Sequence, residues 1–127
     1  MKLVVGGYAQ GKLKYVLEKN HLDDYAVWDG TLPSEAETQG KTIVIDHFHN
    51  WVKGCIRKGG NPEDEMIAFV ETHPGCIIIS DEIGNGIVPV NGFEREYRER
   101  TGRILVELAG RAEEVIRVIC VIVNKIK

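Results

Sequence analysis

Short runs of consecutive apolar residues recur along the chain and constrain its fold more than any other feature. Most of them are apolar at successive positions rather than at alternate ones. This pattern is typical of strands that are covered on both faces, as in a parallel sheet. The runs are Lys2–Val5, Tyr25–Trp28, Thr42–Ile45, Cys76–Ser80 and Val115–Cys120.

The stretches between these runs have the spacing of amphipathic helices. Asn61 and Pro62 are the residues expected at the N-cap and first position of a helix over Pro62–Thr72. Strands that alternate with helices predict an α/β fold, with a mostly parallel sheet of about five strands flanked by helices. The other helical stripes are Leu13, Val16 and Leu17; Phe48, Trp51, Val52, Cys55 and Ile56; and Phe93, Tyr97, Ile104, Leu105, Leu108 and Ala112.

Length and composition limit the classes of protein that fit. A chain of 127 residues predicts one domain over residues 1–127. The net charge of −3 argues against nucleic acid as a partner. The most apolar run, Val115–Val123, contains Arg117 and is far shorter than the roughly 20 residues of a membrane-spanning helix. Cysteines stand in apolar stretches at three positions, Cys55, Cys76 and Cys120, which predicts reduced, buried thiols in a cytoplasmic protein.

A glycine-rich segment follows the first predicted strand and opens the first predicted helix. Its G-x-x-x-x-G-K spacing is that of a phosphate-binding loop, in which backbone N–H groups and the helix N-terminus point at the anion. Lys12 would reach the phosphates as a point charge and act in catalysis. The alternative is a glycine-rich turn with a surface lysine. The nucleotide-binding residues predicted here are Gly6, Gly7, Tyr8, Ala9, Gln10, Gly11, Lys12 and Leu13.

The loop departs from the full motif at one position. The residue after the lysine is normally Ser or Thr, whose hydroxyl binds Mg²⁺, whereas here it is Leu13. Asp46 follows the apolar run Thr42–Ile45 and is the residue predicted to hold the metal. Capping of the next helix is the alternative for that carboxylate.

Two more carboxylates, Asp81 and Glu82, follow the run Cys76–Ser80 and precede a glycine-rich turn. Ligands of open α/β sheets bind at this edge of the sheet. We predict that Glu82 is catalytic and activates an attacking hydroxyl or orients a metal-bound water, with Asp81 as a structural or metal-associated partner. An exposed loop with capping acids is the alternative.

The histidines and a charged block have ordinary explanations. His47 and His49 with Cys55 invite a zinc site, but positions i and i+2 of a helix do not face each other, and His49 is expected to be solvated beside Lys53. His21 and His73 stand at predicted helix ends. The block Glu94–Arg103 predicts an exposed helix face with ion pairs Glu94–Arg98 and Glu96–Arg100. Contact of Arg95 or Arg98 with a phosphate is the alternative.

Several of these segments together resemble one family. They are GGYAQGK, IVIDHFHNW, DEIGNGIVPVN and FEREYRERTGRILVELAGRAEEV, with a short final strand that ends in lysine. The chain resembles the adenosylcobinamide kinase / adenosylcobinamide-phosphate guanylyltransferase family, mainly from about Cys76 to its end. The resemblance implies a RecA-like P-loop fold, with Gly6, Gly7, Gly11 and Lys12 in the phosphate loop and Asp46 and Glu82 at acidic strand ends.

The same resemblance implies an activity. The kinase step moves the γ-phosphate of ATP or GTP, with Mg²⁺, to the aminopropanol hydroxyl of adenosylcobinamide, a corrinoid, in cobalamin biosynthesis. The guanylyltransferase step attaches GMP through a covalent guanylyl-histidine. Here the segment before Asp46 is shorter than in the bifunctional enzymes, and the context of its one histidine, His21, does not match that of the family's nucleophile. Subunit association into a homo-oligomer is implied as well. A catalytically silent nucleotide- or corrinoid-binding module, and a kinase for another hydroxyl substrate, are the alternatives.

Overall fold

The computed structural model describes residues 1–7, 11–19, 24–34, 40–82 and 91–127. In the described residues, strands and helices alternate along most of the chain. They are β1 (Lys2–Gly6), α1 (Lys12–Lys19), β2 (Tyr25–Asp29), β3 (Thr42–Asp46), α2 (Phe48–Arg57), α3 (Pro62–Thr72), β4 (Ile77–Asp81), α4 (Gly92–Arg111), β5 (Glu114–Ile119) and β6 (Ile122–Lys125).

The strands form a single sheet in the order β2-β3-β4-β1-β5-β6. Neighbouring strands from β2 to β5 are all parallel. The predicted α/β architecture is therefore confirmed. The sheet has six strands instead of about five, because the last apolar run turns at Cys120 and returns as β6, antiparallel to β5.

Helices cover both faces of the sheet, as the sequence predicts. On one face α2, α3 and α4 pack against strand residues that include Leu3, Ile45 and Ile78. On the other face α1 contributes Val16, which packs with neighbouring strand residues that include Val4 and Ile79. Because the central strands alternate between these two cores, apolar residues are required at successive positions.

The edge strand β2 differs from the fully covered strand that its sequence predicts. Tyr25 and Val27 are exposed, whereas Trp28 packs partly against the core of the α2 face. The strand lies at the end of the sheet, so only one of its faces is covered. A continuous apolar run therefore does not by itself distinguish a central strand from an edge strand.

The strand order decides which residues meet at the carboxyl edge. Strand β4 lies between β1 and β3, with Asp81 opposite Gly6. Asp46 on β3 is therefore separated from β1, which leads into the phosphate loop, by one strand. Gly6 also packs closely on β5, since a Cβ there would lie 2.3 Å from the carbonyl oxygen of Val118.

Local signals at the helix ends agree with the structure. The side chain of Asn61 accepts a hydrogen bond from the Asp64 N–H at 3.1 Å, with Pro62 in the first helical position. None of the helices in the described part of the chain is long and apolar enough to cross a lipid bilayer.

The cysteines agree only in part with the prediction of buried thiols. None of these three described cysteines forms a disulfide bond: Cys76 is buried, Cys55 is half-buried and Cys120 is exposed. The prediction is wrong for Cys120, because this residue occupies the turn between β5 and β6 rather than the interior of a strand.

Candidate functional site at the carboxyl edge of the sheet

Buried polar residues gather at the carboxyl edge of the sheet. Lys12 opens α1 after β1, Asp46 ends β3, and His49 lies in the first turn of α2. All three are buried. A buried charge is costly unless it is paired, so the shared location of these residues makes this edge the candidate functional site.

Lys12 is 7% exposed and its ammonium is held by two oxygens. Nζ donates a hydrogen bond to the Gly7 carbonyl at 2.6 Å and lies 2.8 Å from Asp81 Oδ1. Gly11 precedes it with φ +82, a left-handed conformation that favours glycine. The alternative of a surface lysine is therefore wrong. Tyr8, Ala9 and Gln10, the centre of the predicted loop, lie outside the described residues.

Leu13, which takes the position of the metal-binding hydroxyl, packs against the apolar core of the α1 face. An apolar side chain there offers no ligand atom to a cation. Any metal at this edge must therefore be held by other residues.

His49 connects the Lys12–Asp81 pair to α2. Its Nδ1 accepts a hydrogen bond from the Asp81 N–H at 3.1 Å, and its Nε2 lies 3.3 Å from Asp81 Oδ2. An acceptor Nδ1 leaves the proton of a neutral ring on Nε2, facing the carboxylate. Burial lowers the pKa of His49, which favours this neutral ring.

The expectation that His49 is solvated beside Lys53 is wrong. Helix α2 begins two residues after β3 ends, so its first turn lies against the edge where β4 also ends. A polar side chain such as His49 can be buried there because it contacts the polar groups of Asp81. A histidine this close to an acidic strand end was the signal in the sequence.

A second cluster lies at the ends of β2 and β3. His47 Nδ1 is 2.6 Å from Asp29 Oδ1 and 3.4 Å from Asp46 Oδ2. Burial acts to lower the pKa of His47, but the hydrogen bond to Asp29 and the nearby carboxylates outweigh it and raise that pKa. Ligand atoms of Asp29, Asp46 and His47 all lie within 4.8 Å of one another.

Asp29 was missed by the sequence reasoning. Its signal was present, because it ends the strand YAVWD as Asp46 ends TIVID, and the two residues are opposite each other in the parallel register. The capping alternative for Asp46 does not hold. The N-cap of α2 is His47, without a side-chain capping bond, and Asp46 Oδ1 accepts the His47 N–H at 2.9 Å.

The structure does not bring together His47, His49 and Cys55, the residues considered for a zinc site from the sequence. Within the described residues, the group of metal-ligand atoms that comes together contains His47 but neither His49 nor Cys55. Cys55 instead donates to Glu65 Oε2 at 2.8 Å. This hydrogen bond and burial, the larger cause, raise the pKa of the Cys55 thiol to about 11.

Glu82 has a partner that the sequence did not indicate. Arg117 of β5 donates from Nη2 to Oε2 at 3.0 Å, and its Nε lies 2.9 Å from Oε1. Both carboxylate oxygens therefore face a guanidinium. The catalytic role of Glu82 stays a prediction, and the glycine-rich turn over residues 83–90 lies outside the described residues.

The charged block of α4 packs partly against other helices. Arg100 contacts Glu96, as predicted, at 3.0 Å, and it also forms a pair of 2.8 Å hydrogen bonds with Glu63 of α3. Glu94 lies 3.1 Å from Lys53 of α2. Contact of Arg95 or Arg98 with a phosphate stays an alternative.

The two histidines expected at helix ends differ in what the structure describes. His73 is the C-cap of α3, where its Nδ1 lies 2.9 Å from the Phe69 carbonyl oxygen. His21 lies outside the described residues.

Comparison with known proteins places this edge in a family context. The sequence model of the family described as Cobinamide kinase / cobinamide phosphate guanyltransferase matches residues 19–126. The chain belongs to this family. The match includes Asp29, Asp46, His47 and His49, while the glycine-rich loop that contains Lys12 precedes it.

Curated relatives agree with this family membership. The chain is 30% identical over 91 residues to the bifunctional adenosylcobalamin biosynthesis protein CobP of Pseudomonas aeruginosa, an alignment of 67% of this chain and 52% of the relative. It is 41% identical over 69 residues to CobU of Salmonella typhimurium, covering 51% and 38%. It is 33% identical over 79 residues to CobU of Escherichia coli, covering 61% and 44%. The aligned part thus spans about half the length of these relatives or less.

Family membership confirms the resemblance seen in the sequence and, with the parallel sheet, the P-loop fold class. The family uses nucleotides in cobalamin biosynthesis, and its name joins a kinase and a guanylyltransferase.

Proposed function

We propose that residues 1–127 form one nucleotide-binding domain that transfers the γ-phosphoryl group of ATP or GTP to the aminopropanol hydroxyl of adenosylcobinamide. The observation that carries the proposal is the position of Lys12. Its ammonium is buried at the N-terminus of α1 and 2.6 Å from the Gly7 carbonyl, at the base of the glycine-rich loop. A helix N-terminus and loop N–H groups favour an anion at that point.

Each residue of the proposed site has a role that follows from its chemistry. The backbone from Gly6 to Leu13 surrounds the phosphates, and Lys12 compensates the charge that develops on the transferred group. Lys12 exchanges its contact with Asp81 for the phosphate oxygens. Asp81, kept in place by His49, then remains as a negative neighbour that fixes the direction of the ammonium.

A divalent cation fits this edge. Carboxylate oxygens are the ligands that Mg²⁺ prefers, and Asp46 and Asp29 bring two carboxylates together at neighbouring strand ends. When bound, the cation would neutralise negative charge on the phosphates. Asp46 would hold it in place of the hydroxyl that Leu13 lacks.

Glu82 is the residue that would act on the hydroxyl substrate. For Glu82 to accept the proton of the attacking hydroxyl, Arg117 must release at least one of its oxygens. We keep guanylyl transfer outside the proposed activity, because no histidine that would carry the guanylyl group can be assigned. Cytoplasmic location and assembly as a homo-oligomer complete the proposal.

A second function is favoured by one observation. Leu13 is packed in the apolar core of the α1 face, so the usual cation ligand next to Lys12 is absent. A protein that binds a nucleotide or a corrinoid without turnover would need no such ligand. The alternative is therefore a catalytically silent binding module of the same fold.

Corrinoid-stimulated nucleotide consumption separates the two functions. We expect Mg²⁺-dependent consumption of ATP or GTP that rises when cobinamide is added, and a further rise in the Leu13→Ser variant, which regains the hydroxyl. Nucleotide binding by calorimetry without stimulated turnover in either protein would establish the silent module. Absence of nucleotide binding would contradict both functions.

A further inference from the structure

We propose that Asp29, Asp46 and His47 together form a site for a divalent transition-metal cation of the Mn²⁺ or Zn²⁺ class. The site adds an imidazole and a second carboxylate to Asp46, the residue that the sequence predicts to hold the metal. Cation binding itself does not rest on the proposed function, although its use in phosphoryl transfer does.

The ligand atoms are already close to the spacing that such a cation needs. Transition-metal cations bind histidine nitrogen and carboxylate oxygen at about 2.0–2.2 Å, so adjacent ligands around one ion stand about 3 Å apart. His47 Nδ1 lies 2.6 Å from Asp29 Oδ1 and 3.4 Å from Asp46 Oδ2. These values bracket that spacing, so small side-chain rotations suffice to admit an ion between the three groups.

The backbone explains why the three groups meet. Asp29 and Asp46 are the last residues of parallel neighbouring strands and are opposite each other in register. His47 follows at once, with φ 51 and ψ 46. All three ligands therefore come from the ends of regular elements, which hold their positions more firmly than a long loop would.

The chemistry of the ligand set selects the class of cation. Mg²⁺ prefers oxygen ligands and usually retains several waters, whereas an imidazole favours transition metals such as Zn²⁺. Two carboxylates compensate the charge of a divalent ion. Asp29 is 70% exposed, His47 39% and Asp46 13%, so the site is open on one side. Three protein ligands with an open position are typical of a catalytic metal site rather than a structural one.

The site is contiguous with the proposed phosphate site. The rings of His47 and His49 are 5.8 Å apart between centroids, His49 contacts Asp81, and Asp81 contacts Lys12. A cation held by His47 would thus share the edge on which Lys12 lies. It would supply the positive charge of the cation that, in the full loop motif, is bound by the hydroxyl residue replaced here by Leu13.

Direct metal binding tests the proposal without nucleotide or corrinoid. The metal-free protein is titrated with MnCl₂, ZnCl₂ or MgCl₂ by calorimetry, and Mn²⁺ binding is followed independently by loss of the free-ion electron paramagnetic resonance signal. We expect one Mn²⁺ or Zn²⁺ per chain, bound at least about tenfold more tightly than Mg²⁺. Asp29→Asn and His47→Gln should each weaken binding at least about tenfold.

Matched variants keep the test decisive. Asp24→Asn changes an exposed carboxylate just before β2 and His73→Gln changes a histidine at the end of α3, and both should bind as the parent does. Thermal unfolding establishes that each variant is folded, and Asn at the exposed position 29 preserves side-chain size. The proposal is overturned if the parent binds neither Mn²⁺ nor Zn²⁺, if Mg²⁺ binds equally well, or if only Asp46→Asn weakens binding. Retained metal binding in a Lys12→Ala protein that no longer binds nucleotide would separate this site from the proposed function.

Discussion

At the scale of single residues, the site depends on one carboxylate that touches two partners. Asp81 lies 2.8 Å from the ammonium of Lys12 and 3.3 Å from Nε2 of His49. Spacing identified Lys12 from the sequence because the loop motif is local. It could not identify the Asp81–His49 contact, since those residues are 32 positions apart and meet only in the folded sheet.

Replacement of Asp81 should destabilise the fold, because the buried ammonium of Lys12 loses its partner. Asp81→Asn leaves the ammonium of Lys12 without its counter-charge, and breaking a buried ion pair typically costs about 3–5 kcal/mol. We expect urea unfolding to show a loss near 3 kcal/mol. In the double variant Lys12→Met with Asp81→Asn, much of that loss should be recovered. A loss below about 1 kcal/mol in the single variant would contradict the pairing.

The stability of the fold should depend on pH through Glu63. The hydrogen bonds from Arg100 lower the pKa of Glu63 below the ordinary value of a glutamate side chain. A carboxylate with a depressed pKa stabilises the fold above its unfolded pKa, and this contribution is lost as the pH falls through the folded value. Because Glu63 is 38% exposed, we expect only about 0.5 kcal/mol.

Urea unfolding at two pH values measures this contribution. Glu63→Gln should be less stable than the parent at pH 7, and the difference should shrink as the pH is lowered and the Glu63 carboxylate becomes protonated in the folded protein. Glu99→Gln is the matched control, since Glu99 is 70% exposed in its pair with Arg103, and it should change stability little at either pH. Equal effects of the two substitutions would show that the Arg100 pair contributes nothing specific.

At the scale of elements, helices and central strands follow from the sequence because their signals are local. The N-cap and first-turn residues of α3 and the apolar stripes of α2 and α4 match the structure. The sequence indicated a short final strand that ends in lysine, but not that the end of the chain forms two antiparallel strands, β5 and β6. The turn between them consists of Cys120 and Val121, which both have positive φ, 47 and 67, in place of the Asn-Gly that usually marks such a hairpin.

Substitution of Val121 in this turn should increase the stability of the fold. A β-branched residue at φ 67 is strained, at a cost of order 1–3 kcal/mol, and the Val121 side chain is 76% exposed, so little packing is lost. Val121→Gly should raise the stability by about 1 kcal/mol in urea unfolding. Val123→Gly, a change within β6 itself, should lower it. Destabilisation by Val121→Gly would mean that this turn is not strained.

At the scale of the whole molecule, the strand order determines which charges share the edge. Because β4 lies between β1 and β3, Lys12 contacts Asp81, while Asp46 pairs with Asp29 and His47 one strand away. Composition and periodicity predicted an α/β sheet but not this order, since order depends on contacts between distant segments. In the proposed function, this order puts the phosphate site at Lys12 and the cation site at Asp46 on one edge, linked through His49.

Nucleotide binding should depend on Lys12. Calorimetric titration with ATP and GTP in the presence of Mg²⁺ compares the parent with Lys12→Ala and with Lys14→Ala, which removes an exposed lysine of the same helix. We expect the parent and Lys14→Ala to bind at least one nucleotide equally, whereas Lys12→Ala binds it at least about tenfold more weakly, a change of about 1.4 kcal/mol. Equal binding by the two lysine variants, or no binding by the parent, would show that Lys12 does not form a nucleotide site.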